Sequence, residues 1–168
     1  MIHVCSLARL HDTVDATGAR HVVTLLRDIE LVRRPNGIID TNHLVLRMDD
    51  ISLPAEGYTA PDDEHVSALI TFVRGWDRRT PMVVHCYAGI SRSTAGAYVS
   101  VCALNPGRDE ELLARELRRL SPTATPNLRI VRIADRLLGR KGRMVAAIEA
   151  IGRGIDGFEG TPFRLDLE

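Results

Sequence analysis

Residues 82–99, MVVHCYAGISRSTAGAYV, join a short apolar run to a segment of small and apolar residues through a turn that contains Gly89. The run Pro81–Cys86 is apolar on both faces, which predicts a buried central strand. The segment after the turn predicts a buried helix. A strand followed by a turn and a helix places that turn at the carboxyl edge of a sheet, where α/β proteins bind ligands. We therefore expect Cys86 to lie at a ligand-binding edge.

Strand and helix patterns alternate in the first half of the chain, and helical patterns dominate the second half. Short apolar or β-rich runs occur at residues 2–7, 20–26 and 43–48. One helix is predicted from Ser6 to Gly18, and a second begins at Pro61. Apolar residues at helical spacing recur from residue 107 to 152. We expect an α/β fold with a small, mostly parallel central sheet flanked by helices and a helical C-terminal half.

The length of 168 residues suits a single domain, because chains of about 100 to 200 residues usually form one core. We expect this domain to span residues 1–151 and a glycine-rich tail to span residues 152–168. The tail begins with four glycines in nine residues, so we expect it to lie along the surface or to fray.

The composition is typical of a soluble globular protein, with 45% hydrophobic and 26% charged residues. No 18-residue apolar run is present to cross a bilayer, and His3, Arg9 and His11 interrupt the N-terminus too early for a signal peptide. The three cysteines form no CxxC pair, which argues against a disulfide framework or a zinc ribbon. His3 and Cys5 fit a core pair on one strand face better than metal ligands. We expect a cytoplasmic protein with no membrane contact, no metal and no other cofactor.

The net charge is zero, but its distribution is uneven. Residues 1–80 hold 9 Lys and Arg against 12 Asp and Glu, whereas residues 115–143 hold 9 against 2. A basic region of this kind can attract an anionic substrate or contact nucleic acid. Solvated helix faces are the favoured interpretation, because the arginines fall between apolar positions of helical period.

The turn after Cys86 has the residue types of an anion-binding loop. Gly89 lets the backbone curl, so that successive N–H groups and the start of the next helix face a bound anion. The same field lowers the pKa of a cysteine, to roughly 3.5–7.5. Arg92 can bind two phosphate oxygens, Ser93 can hydrogen-bond the sulfur, and His85 is expected to order the loop. The predicted phosphate-binding loop comprises Tyr87, Ala88, Gly89, Ile90, Ser91 and Arg92.

The segment HCYAGISRS, from His85 to Ser93, resembles the HC-x5-R-[S/T] signature of the cysteine-dependent protein tyrosine phosphatase superfamily. It is most similar to the dual-specificity and small bacterial branches. The resemblance implies a dual-specificity-phosphatase-like fold and two-step hydrolysis, in which the Cys86 thiolate attacks phosphorus, Arg92 and the loop amides hold the oxygens, and a cysteinyl-phosphate forms. The alternative is a core cysteine followed by a solvent-facing arginine.

The resemblance also implies a general acid, an aspartate on a mobile loop that precedes the cysteine. Asp49 and Asp50 follow the run 43–48 and open a loop at the same predicted sheet edge. We prefer Asp50, which lies deeper in this loop, to protonate the leaving group and then activate water. Asp49 is the alternative acid, or else a solvated loop carboxylate. Asp62 and Asp63 are nearer to the cysteine in sequence but suit the start of a helix.

The predicted substrate is a phosphorylated protein or a small aryl phosphate, and we expect phosphate or sulfate to bind in the loop. One alternative is an RNA 5′-phosphatase, motivated by the basic residues, although nucleic acid is the less favoured partner. A phosphoinositide phosphatase is a second alternative, although the loop lacks the lysines common in that group. A phospho-binding module without turnover is a third.

Two further features carry weaker predictions. Residues 121–127, SPTATPN, resemble a loop that approaches the phosphate pocket in this superfamily; a plain helix connection with Asn127 near the next helix start is equally consistent. Cys102 is a conceivable resolving thiol for oxidised Cys86. It lies about 15 Å along the helix beyond Arg92, so a buried structural role is favoured.

Overall fold

The computed structural model describes residues 1–167, which form five strands and six α-helices. The strands are β1 (Ile2–Ser6), β2 (His21–Leu26), β3 (His43–Arg47), β4 (Met82–Cys86) and β5 (Phe163–Leu165). The helices are α1 (Leu10–Thr17), α2 (Asp63–Gly75), α3 (Arg92–Leu104), α4 (Glu110–Leu120), α5 (Leu128–Leu137) and α6 (Arg143–Ile151). The predicted α/β class, with a helical second half, is confirmed.

The sheet has the strand order β3-β2-β4-β1-β5, in which the first four strands are parallel and β5 is antiparallel to β1. Strand β4 is central and every one of its residues is buried, as its apolar sequence predicts. The register pairs Cys86 with Ser6 on β1 and His85 with Thr24 on β2. Cys86 therefore lies at the carboxyl edge of the sheet.

Helix α3 packs directly on the sheet because its residues are small. All its residues from Arg92 to Ala103 are buried. A Cβ at Gly96 would lie 2.7 Å from Leu25 Cδ1 and 3.2 Å from Val84 Cγ1, so a larger residue would have to displace these side chains. The tight packing fixes the start of α3 against the end of β4.

Helix α2 starts later than the sequence pattern predicted. Pro61 precedes the helix, and Asp62 is the N-cap residue, whose side chain accepts a hydrogen bond from the His65 N–H in a capping box. The role predicted for Asp62, at a helix start, is confirmed. Asp63 forms an ion pair with Arg136 of α5 and so connects two helices.

The C-terminal segment lies along the surface for most of its length, but it also contributes a strand to the sheet, which the glycine-rich pattern did not predict. Phe163–Leu165 pair with β1 and form the edge strand β5. Arg118 donates to the carbonyls of Ile151 and Gly152 at 2.8 and 2.7 Å and holds the beginning of this segment. Pairing with β1 is a long-range contact, so a local glycine-rich pattern gave no sign of it.

Candidate active site

The loop of residues 86–92, the Cys86 loop, surrounds the sulfur with hydrogen-bonding groups. Sγ of Cys86 accepts from the Gly89 N–H at 3.3 Å and lies 3.1 Å from Oγ of Ser93. Gly89 has φ +73°, and a Cβ there would lie 2.9 Å from the backbone of Cys5 and Ser6. Because both the conformation and the space exclude larger residues, Gly89 lets the loop close around the sulfur.

Arg92 is the first residue of α3 and is only 8% exposed. One guanidinium N–H donates to the Met48 carbonyl at 2.9 Å, at the end of β3. Nε of Arg92 is buried and has no partner among residues 1–167. The guanidinium is thus anchored on one side and retains an unused donor, which contradicts the alternative of a solvent-facing arginine.

Asp50 is exposed and lies against the Cys86 loop. Its Oδ1 accepts hydrogen bonds from Oγ of Ser91 at 2.7 Å and from Nδ2 of Asn127 at 2.8 Å. Asn127 Nδ2 also donates to the Ile51 carbonyl at 3.3 Å. These contacts hold the Asp50 carboxylate beside Ser91, the residue before Arg92.

Asp49 has a different environment from its neighbour. It is 7% exposed, and its carboxylate accepts from the Thr59 N–H at 2.7 Å and pairs with Arg27 at 3.2 Å. Its own N–H donates to the Thr59 carbonyl at 2.7 Å, which closes the intervening loop. The expectation of a solvated carboxylate at Asp49 is therefore wrong, because these partners occupy both oxygens.

Residues 121–127 both approach the Cys86 loop and connect two helices, the two alternatives that the sequence left open. Oδ1 of Asn127 caps α5 by accepting from the N–H groups of Arg129 and Ile130, at 3.0 and 3.2 Å. Its Nδ2 binds Asp50, as described above. The Thr125 N–H donates to the Ile90 carbonyl at 3.0 Å, which joins this segment to the Cys86 loop. Asn127 is a site residue that sequence reasoning named only as a possible cap, and its single signal was the segment TPN before an apolar helix.

His85 is fully buried beneath the Cys86 loop. Burial lowers the pKa of its ring to about 4, and the adjacent Cys86 backbone opposes this shift. Nε2 lies 2.7 Å from Oγ1 of Thr24. His85 is therefore neutral near pH 7, and its Nε2 joins β4 to β2 through Thr24.

The other two cysteines are buried on separate parts of the core. Burial raises the pKa of both the Cys5 and the Cys102 thiols to about 12. Neither is a reactive thiolate at neutral pH. Within residues 1–167, no group of three or more His, Cys, Asp or Glu side chains is placed to hold a metal ion.

The arginines of the basic region are largely engaged within the protein. Arg140 and Arg143 pair with the buried carboxylate of Glu110, at 2.8 and 3.2 Å. Further ion pairs join Arg115 to Glu111, Arg119 to Glu116, Arg132 to Glu149 and Arg136 to Asp63. These pairs neutralise much of the positive charge that residues 115–143 carry in the sequence.

A groove of about 390 Å³ lies beside the Cys86 loop. Its lining includes Asp50, Ile90, Ser91 and Asn127 from the site and Arg153, Ile155 and Asp156 from the C-terminal segment. An adjoining, mostly apolar hollow of about 300 Å³ shares Pro126, Leu128 and Arg153 with it. The C-terminal segment thus forms one wall of a surface that continues from the site.

Among the described helices none is long and apolar enough to cross a membrane.

The protein-tyrosine phosphatase family model matches residues 54–118 of the chain. This segment contains the Cys86 loop and the helices α2, α3 and most of α4, but it does not reach Asp50. No curated protein sequence matches the chain.

Several solved phosphatase structures are similar to this fold. The Cydia pomonella PTP-2 phosphatase matches with 18% identity and a TM-score of 0.63, over 80% of this chain and 84% of that one. DUSP15 matches with 17% identity and a TM-score of 0.61, over 89% and 90% of the two chains. PTPMT1, in complex with PI(5)P, matches with 14% identity and a TM-score of 0.63, over 90% and 94%. At these identities the shared property is the fold.

Proposed function

We propose that the chain is a cysteine-dependent phosphatase of the protein tyrosine phosphatase superfamily and that it hydrolyses phosphotyrosine or other aryl phosphates through a cysteinyl-phosphate at Cys86. The family-model match at residues 54–118 and the fold shared with solved phosphatases support this proposal. The observation that carries this proposal is the position of the sulfur, between the Gly89 N–H at 3.3 Å and the Ser93 hydroxyl at 3.1 Å. Donors around the sulfur favour the thiolate, which is the nucleophile.

In the first step, the thiolate of Cys86 attacks phosphorus in line with the leaving oxygen. The S–P bond forms while the bond from phosphorus to the leaving oxygen breaks. The unused Nε–H of Arg92 and the N–H groups of the Cys86 loop bind the other phosphoryl oxygens as their charge develops. Asp50 transfers its proton to the leaving oxygen, so that a neutral alcohol departs.

In the second step, the carboxylate of Asp50 takes a proton from water, and the water oxygen attacks phosphorus. The S–P bond breaks and inorganic phosphate is released. The Ser93 hydroxyl, 3.1 Å from the sulfur, donates to the departing thiolate. Asn127 and Ser91 bind Asp50 at 2.8 and 2.7 Å and keep the carboxylate beside the loop for both steps.

A phosphorylated polypeptide is the substrate that fits the surroundings of the site best. The groove walled by Arg153, Ile155 and Asp156 continues away from the Cys86 loop into a mostly apolar hollow, so it can accommodate residues that flank a phosphotyrosine. The ion pairs within the basic region weigh against RNA as the substrate. A cytoplasmic location, where thiols stay reduced, suits a reaction that depends on the Cys86 thiolate.

The decisive experiment is a substrate panel of phosphotyrosine peptide, phosphoserine peptide, phosphatidylinositol phosphate and 5′-phosphorylated RNA. Wild type and Cys86→Ser are assayed side by side for released phosphate. We expect hydrolysis of the phosphotyrosine peptide by wild type and none by Cys86→Ser, which should still bind inorganic phosphate. Preferred turnover of the lipid or the RNA would reassign the substrate class. Turnover by Cys86→Ser would overturn the mechanism, and wild type no faster than Cys86→Ser would indicate a phospho-binding module.

A further inference from the structure

The peptide group between Ala88 and Gly89 connects the Cys86 loop to the C-terminal segment. Its N–H, that of Gly89, donates to Sγ of Cys86 at 3.3 Å. Its carbonyl, that of Ala88, accepts from the Gly160 N–H at 2.8 Å. The C=O and N–H of a trans peptide group are coplanar and point in opposite directions, so the position of one sets the direction of the other. The contact with Gly160 therefore fixes the direction of the N–H that faces the sulfur.

The preceding peptide group of the loop is held in a similar way by a different element. The Tyr87 carbonyl accepts from the Leu7 N–H at 3.1 Å. Leu7 directly follows β1, so the sheet fixes its position. Gly160, by contrast, lies in residues 152–162, which contain no helix or strand. The position of the Gly160 N–H therefore depends on side-chain contacts of its neighbours.

Glu159 supplies such a contact. Its Oε1 accepts from Oγ of Ser6 at 2.5 Å, and the exposed Arg9 guanidinium lies 3.8 Å from the same oxygen. Ser6 is the last residue of β1, is 1% exposed and pairs with Cys86 in the sheet register. Glu159 thus ties the residue before Gly160 to the strand beside Cys86.

We propose that Glu159 is a positioning residue for the Cys86 loop: its carboxylate, bonded to Ser6, holds the Gly160 N–H on the Ala88 carbonyl and so keeps the Gly89 N–H directed at the sulfur and at a bound oxyanion. The inference rests on the proposed function, because it assigns a role in binding the phosphoryl group at the same site. Glu159 acts through the backbone of the loop and does not touch the reacting atoms.

The charge of Glu159 and its hydrogen bond have opposite effects on anion binding. A carboxylate behind the loop repels an anion bound in front of it. An N–H that is held toward the anion strengthens binding, because hydrogen bonds to charged groups are the strong ones. Removal of the side chain should therefore tighten anion binding if only its charge matters, and weaken anion binding if it positions the loop.

The test measures the Kd of sodium tungstate, a tetrahedral oxyanion, by isothermal titration calorimetry and so needs no turnover. Glu159→Asp keeps the charge but is one methylene shorter, whereas Glu159→Gln keeps the length and an acceptor oxygen but loses the charge. We expect Glu159→Ala and Glu159→Asp to raise the Kd about tenfold, as when one hydrogen bond to a charged group is weakened. In Glu159→Gln the Kd should stay within about twofold of wild type.

Asp166→Ala is the matched control. Asp166 is also a carboxylate of the C-terminal segment and pairs with Arg164 at 3.1 Å. It follows Leu165, which pairs with Ile2 at the start of β1, so it lies at the opposite edge of the sheet from the Cys86 loop. The tungstate Kd of Asp166→Ala should equal that of wild type. Urea unfolding of each variant confirms that it is folded before the titrations are compared.

A tungstate Kd that is unchanged or lower in Glu159→Ala and Glu159→Asp would overturn the proposal. The same holds for a Kd that rises as much in Glu159→Gln as in Glu159→Asp, and for a wild type that binds no tungstate. If Glu159→Ala does not fold, Glu159→Asp decides the outcome. Failure of the proposed function would look different, because wild type would then release no phosphate from p-nitrophenyl phosphate while tungstate binding would still weaken in Glu159→Asp.

Discussion

Asn127 holds the carboxylate of Asp50: its Nδ2 donates to Oδ1 at 2.8 Å across a separation of 77 residues. The same side chain caps α5 through Oδ1. The loop that carries the proposed general acid is therefore joined to a helix start, and both are joined to the Cys86 loop by the Asn127 N–H to Ser91 carbonyl bond at 3.3 Å. The Asn127 side chain therefore caps a helix and also holds the proposed general acid, and suitable substitutions can separate these two contributions.

Asn127→Ser should lower kcat without unfolding the protein. Serine is a good N-cap residue, so α5 should keep its cap, but serine is too short to reach Asp50. We expect kcat for an aryl phosphate to fall about tenfold, since general acid catalysis depends on placement. Asn127→Ala should show the same loss together with about 1 kcal/mol lower stability, from the missing cap. If kcat stayed unchanged in both variants, Asn127 would have no part in positioning the acid.

Asp50→Asn should lower activity, whereas Asp49→Asn should lower stability. Asp50→Asn removes the proposed acid, so we expect kcat/KM for phenyl phosphate to fall by about 100-fold to 10,000-fold, with a smaller loss for the better leaving group p-nitrophenol. Asp49→Asn weakens the contacts with Arg27 and Thr59 and should lower the free energy of unfolding by about 1–3 kcal/mol. In Asp49→Asn, kcat/KM should depend on the leaving group as it does in wild type. The reverse pattern in the two variants would move the acid to Asp49.

Arg92→Lys keeps the positive charge but should still be severely impaired. Lysine cannot bind two phosphoryl oxygens while also donating to the Met48 carbonyl as Arg92 does. We expect kcat to fall by about 100-fold or more, the usual cost of removing one oxyanion donor. Arg140→Lys is the matched control, because Arg140 is also buried and donates to backbone carbonyls, those of Cys102 and Asn105, at the opposite end of α3 from Arg92. It should lose stability and keep kcat; near-normal kcat in Arg92→Lys would contradict the role given to the guanidinium.

Gly160→Ala tests whether the C-terminal segment supports the Cys86 loop. The Gly160 N–H donates to the Ala88 carbonyl at 2.8 Å, and a Cβ at Gly160 would lie 2.8 Å from the Gly89 carbonyl oxygen. We expect the contact to be displaced and kcat to fall several-fold. Gly107→Ala, where a Cβ meets nothing within 4 Å, should leave kcat unchanged. Equal kcat values in the two variants would show that the loop is independent of the segment.

His85 should make stability depend on pH. Burial lowers its pKa to about 4, against 6.5 in an unfolded chain. The unfolded state therefore binds more protons between these values, so the free energy of unfolding is highest above pH 6.5 and falls as the pH drops toward 4, by at most about 3 kcal/mol. Urea titrations at several pH values should show a shallower decline in His85→Gln. The exposed His11→Gln should follow wild type, and identical slopes in all three proteins would refute the assignment.

Local patterns were sufficient to predict the centre of the site. The strand, the turn and the helix around Cys86 are contiguous in the chain, so their order placed the sulfur at the sheet edge. The chemistry was predicted from the resemblance of residues 85–93 to a known signature. The same reasoning failed for Asp49, whose burial depends on Arg27 and Thr59. Adjacent residues of the same type have nearly the same sequence environment, whereas their tertiary contacts differ.

The sequence by itself determined the α/β class, the central strand β4 and the turn that follows it, because these follow from hydrophobic period and from the glycine between the strand and the helix. Only the tertiary structure decided which aspartate faces the loop, what Asn127 binds and how Glu159 reaches Ser6. It also showed that part of the expected tail, Phe163–Leu165, forms a strand paired with β1. Each of these depends on partners far apart in the chain, which become neighbours only when the core has packed and the strand register is set.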